Sequence, residues 1–574
     1  TIWIIFNGEI YNYRELRPPL EAAGHRFRTH SDTETIIHLY EEHGSDCVEH
    51  LRGMFVFAIW DERRRRLFLA RDRLGQKPLF YRHDPGRLIF ASELKSLLQM
   101  PGAPREVDPQ AVDLYFTYQY VPHPHCILRG YRKLPPAHWM LYENDRLEVR
   151  RYWSPPFDDA EGVQRVQRQP IEETRRQLRE TLTEAVRLRM RSDVPLGAFL
   201  SGGIDSTIIV GLMQSLSERP VHTFSIGFPI ESFDERSYAR EAATHLGTDH
   251  HEYVVEPSSL EILPRLIWQY DEPFSDSSAI PMMYLSEVTR REVTVALSGD
   301  GGDEFFAGYP RYRAVQMAGK LDWLPPSMRR VFAARLWQKI PARVEQRSFR
   351  RRLKRFLAAL GQPPERRYLR WIGIFDDERR RDLYSDGFRE TLGQFDSAAF
   401  LFEAYSHCRQ RDFVTRTTCA DVLSYLPCDI LTKVDIASMA YGLECRSPFL
   451  DHHVAELAAR LPIECKLTPR RSKQILIDTF ADLLPGSIQN RSKMGFGVPL
   501  DHWFRGELNP LLRETLLDAR CLDRGYFNTD TVRRLIEEHE QQVWDHSYRL
   551  WSLLCFELWQ RTFVDAAVEK PGVF

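Results

Sequence analysis

Cysteine is scarce in this sequence: there are nine in 574 residues, and none forms a Cys-x-x-Cys pair. That argues against a disulfide framework or a cysteine-built zinc site, and makes the reducing cytoplasm the expected setting. Net charge is lacking too. The 78 Lys and Arg stand against 80 Asp and Glu, a formal charge of −2, so no dedicated nucleic-acid partner is expected. No apolar run approaches the ~18 residues of a membrane span; the stretch 55–60 is strand-sized, and no membrane partner is expected. There is no internal repeat and no low-complexity segment. An initiator Met and a signal peptide are absent as well. The chain opens on Thr1-Ile-Trp-Ile-Ile-Phe6, already a strand, and reads as a fragment whose upstream part is missing.

What is present suffices for more than one core, with hydrophobic residues at 43% and aromatics at 12%. Residues 1–153 are strand-rich. Apolar runs at 55–60, 66–70, 78–81 and 88–92 are separated by charged or Gly turns, the spacing of packed antiparallel sheets. The Arg63–Arg66 run between two of them is a solvated hairpin tip, since no aromatic interleaves its charges. Residues 154–170 show no apolar period and read as a linker.

The second unit, 171–560, opens with a helix over 171–190 that carries Leu178, Leu182, Ala185 and Val186 on one face. Short apolar strands at 196–200, 221–228 and 292–297 then alternate with helical periodicity. That rhythm predicts a doubly wound parallel sheet, with ligands at the carboxyl ends of its strands. Beyond about residue 310 a helical extension follows. It includes the basic run 350–355, read as a charged helix face with Phe349, Leu353 and Phe356 beneath, and it ends in a tail at 561–574.

The strand at 196–200 runs into Ser201-Gly202-Gly203-Ile204-Asp205-Ser206-Thr207 and then a helical run. Paired glycines let backbone approach a phosphate, and the N–H groups opening the helix point at it. Ser201 and Ser206 add hydroxyl donors. Asp205 would repel bare phosphate unless a Mg²⁺ lies between them. This is not the Walker pattern, which needs Gly-Lys-Ser/Thr. The strand at 292–297 ends in Ser298-Gly299-Asp300-Gly301-Gly302-Asp303-Glu304. Asp205 and Asp303 on neighbouring strand ends make the pair a pyrophosphate-bound Mg²⁺ requires.

Ser-Gly-Gly-x-Asp-Ser in this setting resembles the pyrophosphate loop of the ATP pyrophosphatases, which activate an oxygen by adenylation. Three N-terminal motifs, Phe6-Asn7-Gly8-Glu9-Ile10-Tyr11-Asn12, Ser31-Asp32-Thr33-Glu34 and 70–81, together resemble class II glutamine amidotransferase domains. There Asn7 and the Gly8 N–H can hold an oxyanion, and Glu9 and Asp32 can pair with the α-ammonium of glutamine. With both halves in view, nearly the whole chain resembles the glutamine-hydrolysing asparagine synthetases. The likeness continues through 233–239, 246–252, 271–274, 429–435, 442–451 and 471–473.

That resemblance implies an incomplete N-terminal-nucleophile antiparallel sandwich with helices, followed by an ATP-pyrophosphatase sheet. It implies ATP and Mg²⁺ as cofactors, with aspartate and glutamine or ammonia as substrates. A homodimer stays open, since some members of the class dimerise. Leu200, Ile226, Ser298 and Gly299 would border the ATP. Asp300 would be associated with forming the aspartyl-adenylate, and Lys473 would steady charge on the transferring phosphate. The family's nucleophile is an N-terminal cysteine. Here residue 1 is Thr, six positions before Asn7, and Cys47 and Cys126 match no family motif. The glutaminase nucleophile is therefore expected to be absent from this chain, with synthesis from ammonia retained.

Three other readings compete. A related amidotransferase or lactam-forming synthetase would keep the ATP motifs and change the carboxylate acceptor. A tRNA-modifying protein would bind RNA through 350–355. A catalytically dead scaffold is motivated by the missing nucleophile and opposed by Asp205, Asp303 and Lys473. His250-His251 and His452-His453 are read as structural, because adjacent side chains point apart, and His123-Pro124-His125 as a rigid turn.

Overall fold

The computed structural model describes residues 1–228, 234–255, 259–325, 328–329, 349–491 and 497–565. The N-terminal unit contains strands β1 (Ile2–Ile10), β2 (Gly53–Asp61), β3 (Arg66–Arg71), β4 (Phe80–Asp84), β5 (Arg87–Ala91), β6 (Tyr131–Lys133), β7 (His138–Glu143) and β8 (Arg146–Arg151). They form two antiparallel sheets, β1-β2-β3-β7-β8 and β5-β4-β6. Alternation along β2 sorts the layers. Phe55, Phe57 and Ile59 join the core made with Leu20, Ile36 and Leu39 of the helices Tyr13–Ala22 and Asp32–His43. Val56 and Ala58 join Leu79 and Tyr81 on the other face. The result is the expected antiparallel sandwich with helices. Arg63, Arg64 and Arg65 form its exposed β2–β3 hairpin tip.

The stretch 154–170 is not wholly irregular: a helix spans Ala160–Arg168. Its start is fixed by the Asp159 side chain, which accepts from Gly162 N–H and pairs with Arg460 at 2.7 Å. A cap and an ion pair hold it, with Val163 as its buried apolar residue, so no apolar period announces it.

The C-terminal unit opens with the helix Ile171–Arg189, which buries Leu178, Leu182, Ala185 and Val186. Strands β9 (Leu196–Phe199), β10 (His222–Gly227), β11 (Asp249–Val254), β12 (Val295–Leu297) and β13 (Glu444–Arg446) follow. All neighbours pair in parallel, in the order β11-β10-β9-β12-β13. Apolar cores cover both faces: Phe224 and Ile226 serve one, Ala198 and Leu297 the other. The chain enters at β9, builds outward to β11, then returns to place β12 on the opposite side of β9. That reversal makes the carboxyl ends of β9 and β12 the switch point where ligands bind in such sheets.

Farther on, the helix Phe349–Ala359 carries the basic run. Its Leu353 is 42% exposed rather than beneath the charges, while Phe356 stacks on Trp371. The side chains of 350–352, and most of the tail expected at 561–574, lie outside the described residues. A cis peptide bond joins His123 to Pro124.

The two units are fastened by buried charge. Asp451 accepts Arg52 Nε from the first unit at 2.7 Å and Arg189 Nη1 from the second at 2.8 Å. Burial opposes ionisation of Asp451, yet Arg189 and Arg52 together hold its carboxyl far below the usual carboxylate range. Lys77 pairs with Asp435 at 2.7 Å across the same boundary.

Candidate active site

The loops after β9 and β12 meet at the mouth of a cavity of about 1040 Å³. Ser201, Gly203, Asp205 and Ser206 line it from one side, and Ser298, Gly299, Asp300 and Asp303 from the other. The first loop closes on itself. Ser201 and Ser206 hydroxyls lie 3.1 Å apart, the Ser206 hydroxyl accepts Ser201 N–H, and Gly203 N–H donates to Ser201 Oγ. Gly203 then caps the helix Ile204–Ser215, whose positive end faces the cavity. Gly202 serves differently. It has φ +65°, and a Cβ there would strike the backbone of Tyr238 and Ala239, so it packs the loop onto the helix Arg236–Leu246 instead of lining the cavity.

Lys473 stands at the centre. Its Nζ lies 2.5 Å from Asp303 Oδ1 and bonds Asp205 Oδ2 as well. One ammonium therefore bridges the two carboxylates that the sequence assigns to a metal. Three glycines make room for this cluster. A Cβ on Gly299 would come within 2.9 Å of Asp205 Cβ, one on Gly302 within 2.6 Å of Asp205 Cγ, and one on Gly308 would collide with both Asp303 Oδ1 and Lys473 Cε. Lys473 itself holds φ +54° at the start of the helix Gln474–Thr479. Asp300 is tied down by Ser298 Oγ, which donates to its carboxylate at 2.8 Å, and by Ser447 Oγ, which donates to its carbonyl at 2.5 Å. Leu200 and Ile226 add an apolar wall beside Phe224.

Several lining residues carried no signal readable without their neighbours in space. Arg491 donates to the carbonyl of Gly202 at 2.9 Å, pairs with Glu235 and stacks over Tyr238, so it clasps the outside of the phosphate loop. The buried Asp429 and the half-buried Asp276 and Lys433 form a second charge cluster in the wall, with Lys433 Nζ 2.8 Å from Asp276. Burial, with Asp276 beside it, pushes the Asp429 carboxyl well up. Glu304 is buried and held up to about 7 by burial and then by Asp303, while Tyr309 OH donates to it at 2.6 Å. Glu304, Asp429 and Lys433 fall within the runs 298–304 and 429–435, whereas Asp276 and Arg491 belong to no such run. Asp429 and Lys433 come from one helical stretch, Glu304 from the short helix after β12, and Asp276 and Arg491 from loops.

In the N-terminal unit, Asn7 donates to Ser92 Oγ at 3.1 Å. Gly8, at φ +147°, passes so close to the β2 backbone at Met54 and Phe55 that no Cβ fits. Asp32 accepts Ile10 N–H at 2.9 Å, which binds the start of the helix Asp32–His43 to the end of β1. Glu9 turns toward the second unit, 3.5 Å from Arg446. Burial lifts its carboxyl to about 7, Arg446 opposing and Asp32 assisting. Thus Glu9 and Asp32 do share one neighbourhood, with Arg446 as a third member. Cys47 and Cys126 are both buried, and burial pushes both thiols well up. Neither offers a thiolate.

The family model described as asparagine synthase matches residues 177–561, and that described as a glutamine amidotransferase domain matches residues 1–153. Asparagine synthetase [glutamine-hydrolyzing] 1 of Bacillus subtilis (strain 168) is 33% identical over 564 residues, covering 97% of this chain and 85% of that protein. A putative asparagine synthetase [glutamine-hydrolyzing] of Mycobacterium bovis is 36% identical over 579 residues, covering 98% and 85%. Another putative member, from Methanocaldococcus jannaschii, is 40% identical over 312 residues, covering 54% of this chain and 59% of that protein. The chain belongs to the asparagine synthase family, with a glutamine amidotransferase domain ahead of its synthase region.

Proposed function

We propose that this chain makes L-asparagine from L-aspartate and ATP, releasing AMP and pyrophosphate. The observation that carries the reading is Lys473 set between Asp205 and Asp303 at the junction of the two strand-end loops. A cation-binding pair of carboxylates, a lysine and a helix N-terminus around one cavity suit a triphosphate. The carboxylate pair already accommodates a cation, the Lys473 ammonium, so Asp205 and Asp303 fit a divalent ion. When bound there, Mg²⁺ would neutralise charge on the departing pyrophosphate.

The chain's own groups do the rest. The N–H groups opening the helix Ile204–Ser215 and the Ser201 and Ser206 hydroxyls bind phosphate oxygens. Leu200 and Ile226 hold the base, and Ser298 and Gly299 border the nucleotide. The side-chain carboxylate of aspartate attacks the α-phosphorus, and the bond to pyrophosphate breaks. Lys473 offsets the charge that develops on the transferring phosphate. Asp300, fixed by Ser298 and Ser447, stands where the aspartyl-adenylate forms. Ammonia then attacks the activated carbonyl, and AMP leaves.

On this reading the units are 1–153 for glutamine and 171–560 for synthesis, joined through 154–170, and the protein works in the cytoplasm. The oxyanion role falls to Asn7 and the Gly8 N–H, and the α-ammonium of glutamine to Glu9 and Asp32. Residues 1–153 supply no nucleophile to that place. Their two thiols are buried, and Thr1 stands six residues from Asn7 along β1, about 20 Å away. Synthesis from free ammonia needs only residues 171–560 on this reading.

Isotope transfer tests the chemistry. Aspartate carrying ¹⁸O in its side-chain carboxylate should deliver one labelled oxygen to AMP. Label found in phosphate or pyrophosphate instead of AMP would rule out adenylation.

A further inference from the structure

Far along the chain from the synthase motifs, the loop after the helix Tyr13–Ala22 and the helix Asp32–His43 that follows it bring together side chains that the reaction does not use. His25 Nδ1 lies 3.0 Å from His38 Nδ1. Glu41 Oε2 lies 3.3 Å from the first and 2.9 Å from the second. Three donor atoms thus form a nearly equilateral triangle. Tetrahedral zinc, with bonds to nitrogen and oxygen of about 2.0–2.1 Å, sets its ligand atoms about 3.3 Å apart.

The outer atoms support the same reading. His25 Nε2 is bonded to Glu42 Oε1 at 2.7 Å, and His38 Nε2 faces Glu34 Oε1 at 3.7 Å. Glu34 is itself fixed, since it accepts the N–H groups of Arg28 and Thr29 at 2.8 and 2.7 Å and the Thr29 hydroxyl at 2.6 Å. The Glu42 carboxylate on the far nitrogen of His25 draws that ring's proton outward and leaves its near nitrogen as a lone-pair donor. His25 Nδ1, His38 Nδ1 and Glu41 Oε2 then converge on one point, where a shared cation would serve all three.

We propose that His25, His38 and Glu41 bind a divalent transition metal of the zinc class, with solvent in the fourth position. Two imidazoles and one carboxylate select zinc over magnesium, so this site is chemically separate from Asp205 and Asp303. His38 and Glu41 sit three residues apart on one helix face, whereas His25 comes from the preceding loop. The metal would therefore staple residues 23–31 to the helix whose first residue, Asp32, holds the end of β1.

The test uses the full chain, stripped by a chelator and dialysed. Cobalt(II) should give visible tetrahedral bands that saturate at one equivalent, and zinc should displace it. His25→Ala and His38→Ala should abolish the bands. Glu42→Gln, which touches no metal, should weaken cobalt binding by about 10–100-fold. Glu41→Gln, at the surface, keeps the result readable if a histidine variant fails to fold, and should weaken binding at least as much. A second group, His222 and His251 at 3.0 and 3.4 Å from Asp249 Oδ2, is more exposed, and His251→Ala should leave the bands unchanged. Absence of tetrahedral bands in the parent chain would overturn the proposal. So would bands that survive both Glu41→Gln and His38→Ala, or that are lost in His251→Ala.

Discussion

Lys473 Nζ sits 2.5 Å from Asp303 Oδ1 and also bonds Asp205, so a single ammonium couples the ends of β9 and β12. Lys473→Met would leave two buried carboxylates facing each other. Pyrophosphate release with aspartate and ammonium should fall by about 10²–10³, read alongside a cooperative melting curve. Lys473→Arg should not restore it, because a planar guanidinium cannot replace a point charge packed against Gly308.

Gly308→Ala tests the space around that cluster. The added methyl would collide with Asp303 Oδ1 and Lys473 Cε. Activity should drop at least about tenfold, the effect of misplacing charged groups that stabilise the transition state. Gly387→Ala is the control, since nothing lies within 4 Å of a Cβ there and it sits inside the helix Asp386–Leu392. That change should leave activity intact and stabilise the fold by about 0.5–1 kcal/mol.

Asp451 carries the junction of the two units. Asp451→Ala would strand Arg52 and Arg189, the latter 1% exposed. A loss of about 3–5 kcal/mol is expected in denaturant unfolding, with the N-terminal unit more readily cleaved by protease.

Lys466 gives stability a pH dependence. It is 1% exposed, and burial, assisted by Arg411, brings its ammonium down to about 7 from an ordinary 10.5. Between those values the unfolded chain holds a proton that the folded chain has released, so stability rises with pH across the window. Below about 7 both states are protonated, and the full cost of the buried charge is present. Lys466→Met should therefore raise the melting temperature most near neutrality and below, with its advantage shrinking toward about pH 10. An advantage that is constant with pH would contradict this.

Much of the site was legible because its residues are contiguous. The strand–Gly-Gly–helix text at 196–215 and the second Gly/Asp run at 298–304 announce both loops and their strand ends. Two strands of the parallel sheet left no trace in the apolar pattern. β11 is an edge strand reading Asp-His-His-Glu-Tyr-Val, and β13 is three residues at the other edge. Edge strands are half solvated and short, so they carry neither an apolar run nor clean alternation. The cavity wall was illegible for another reason. Asp276 and Arg491 belong to no motif, lie 215 positions apart (491 − 276) and acquire meaning only when the fold brings their loops to one cavity. His25, His38 and Glu41 were hidden likewise, since a loop return sets their distances and no fixed spacing does.

The most direct test is pyrophosphate release by the 574-residue chain with ATP, Mg²⁺ and aspartate, supplied in parallel with ammonium or with glutamine. Turnover with ammonium is expected. Silence with aspartate under both conditions would contradict asparagine synthesis itself.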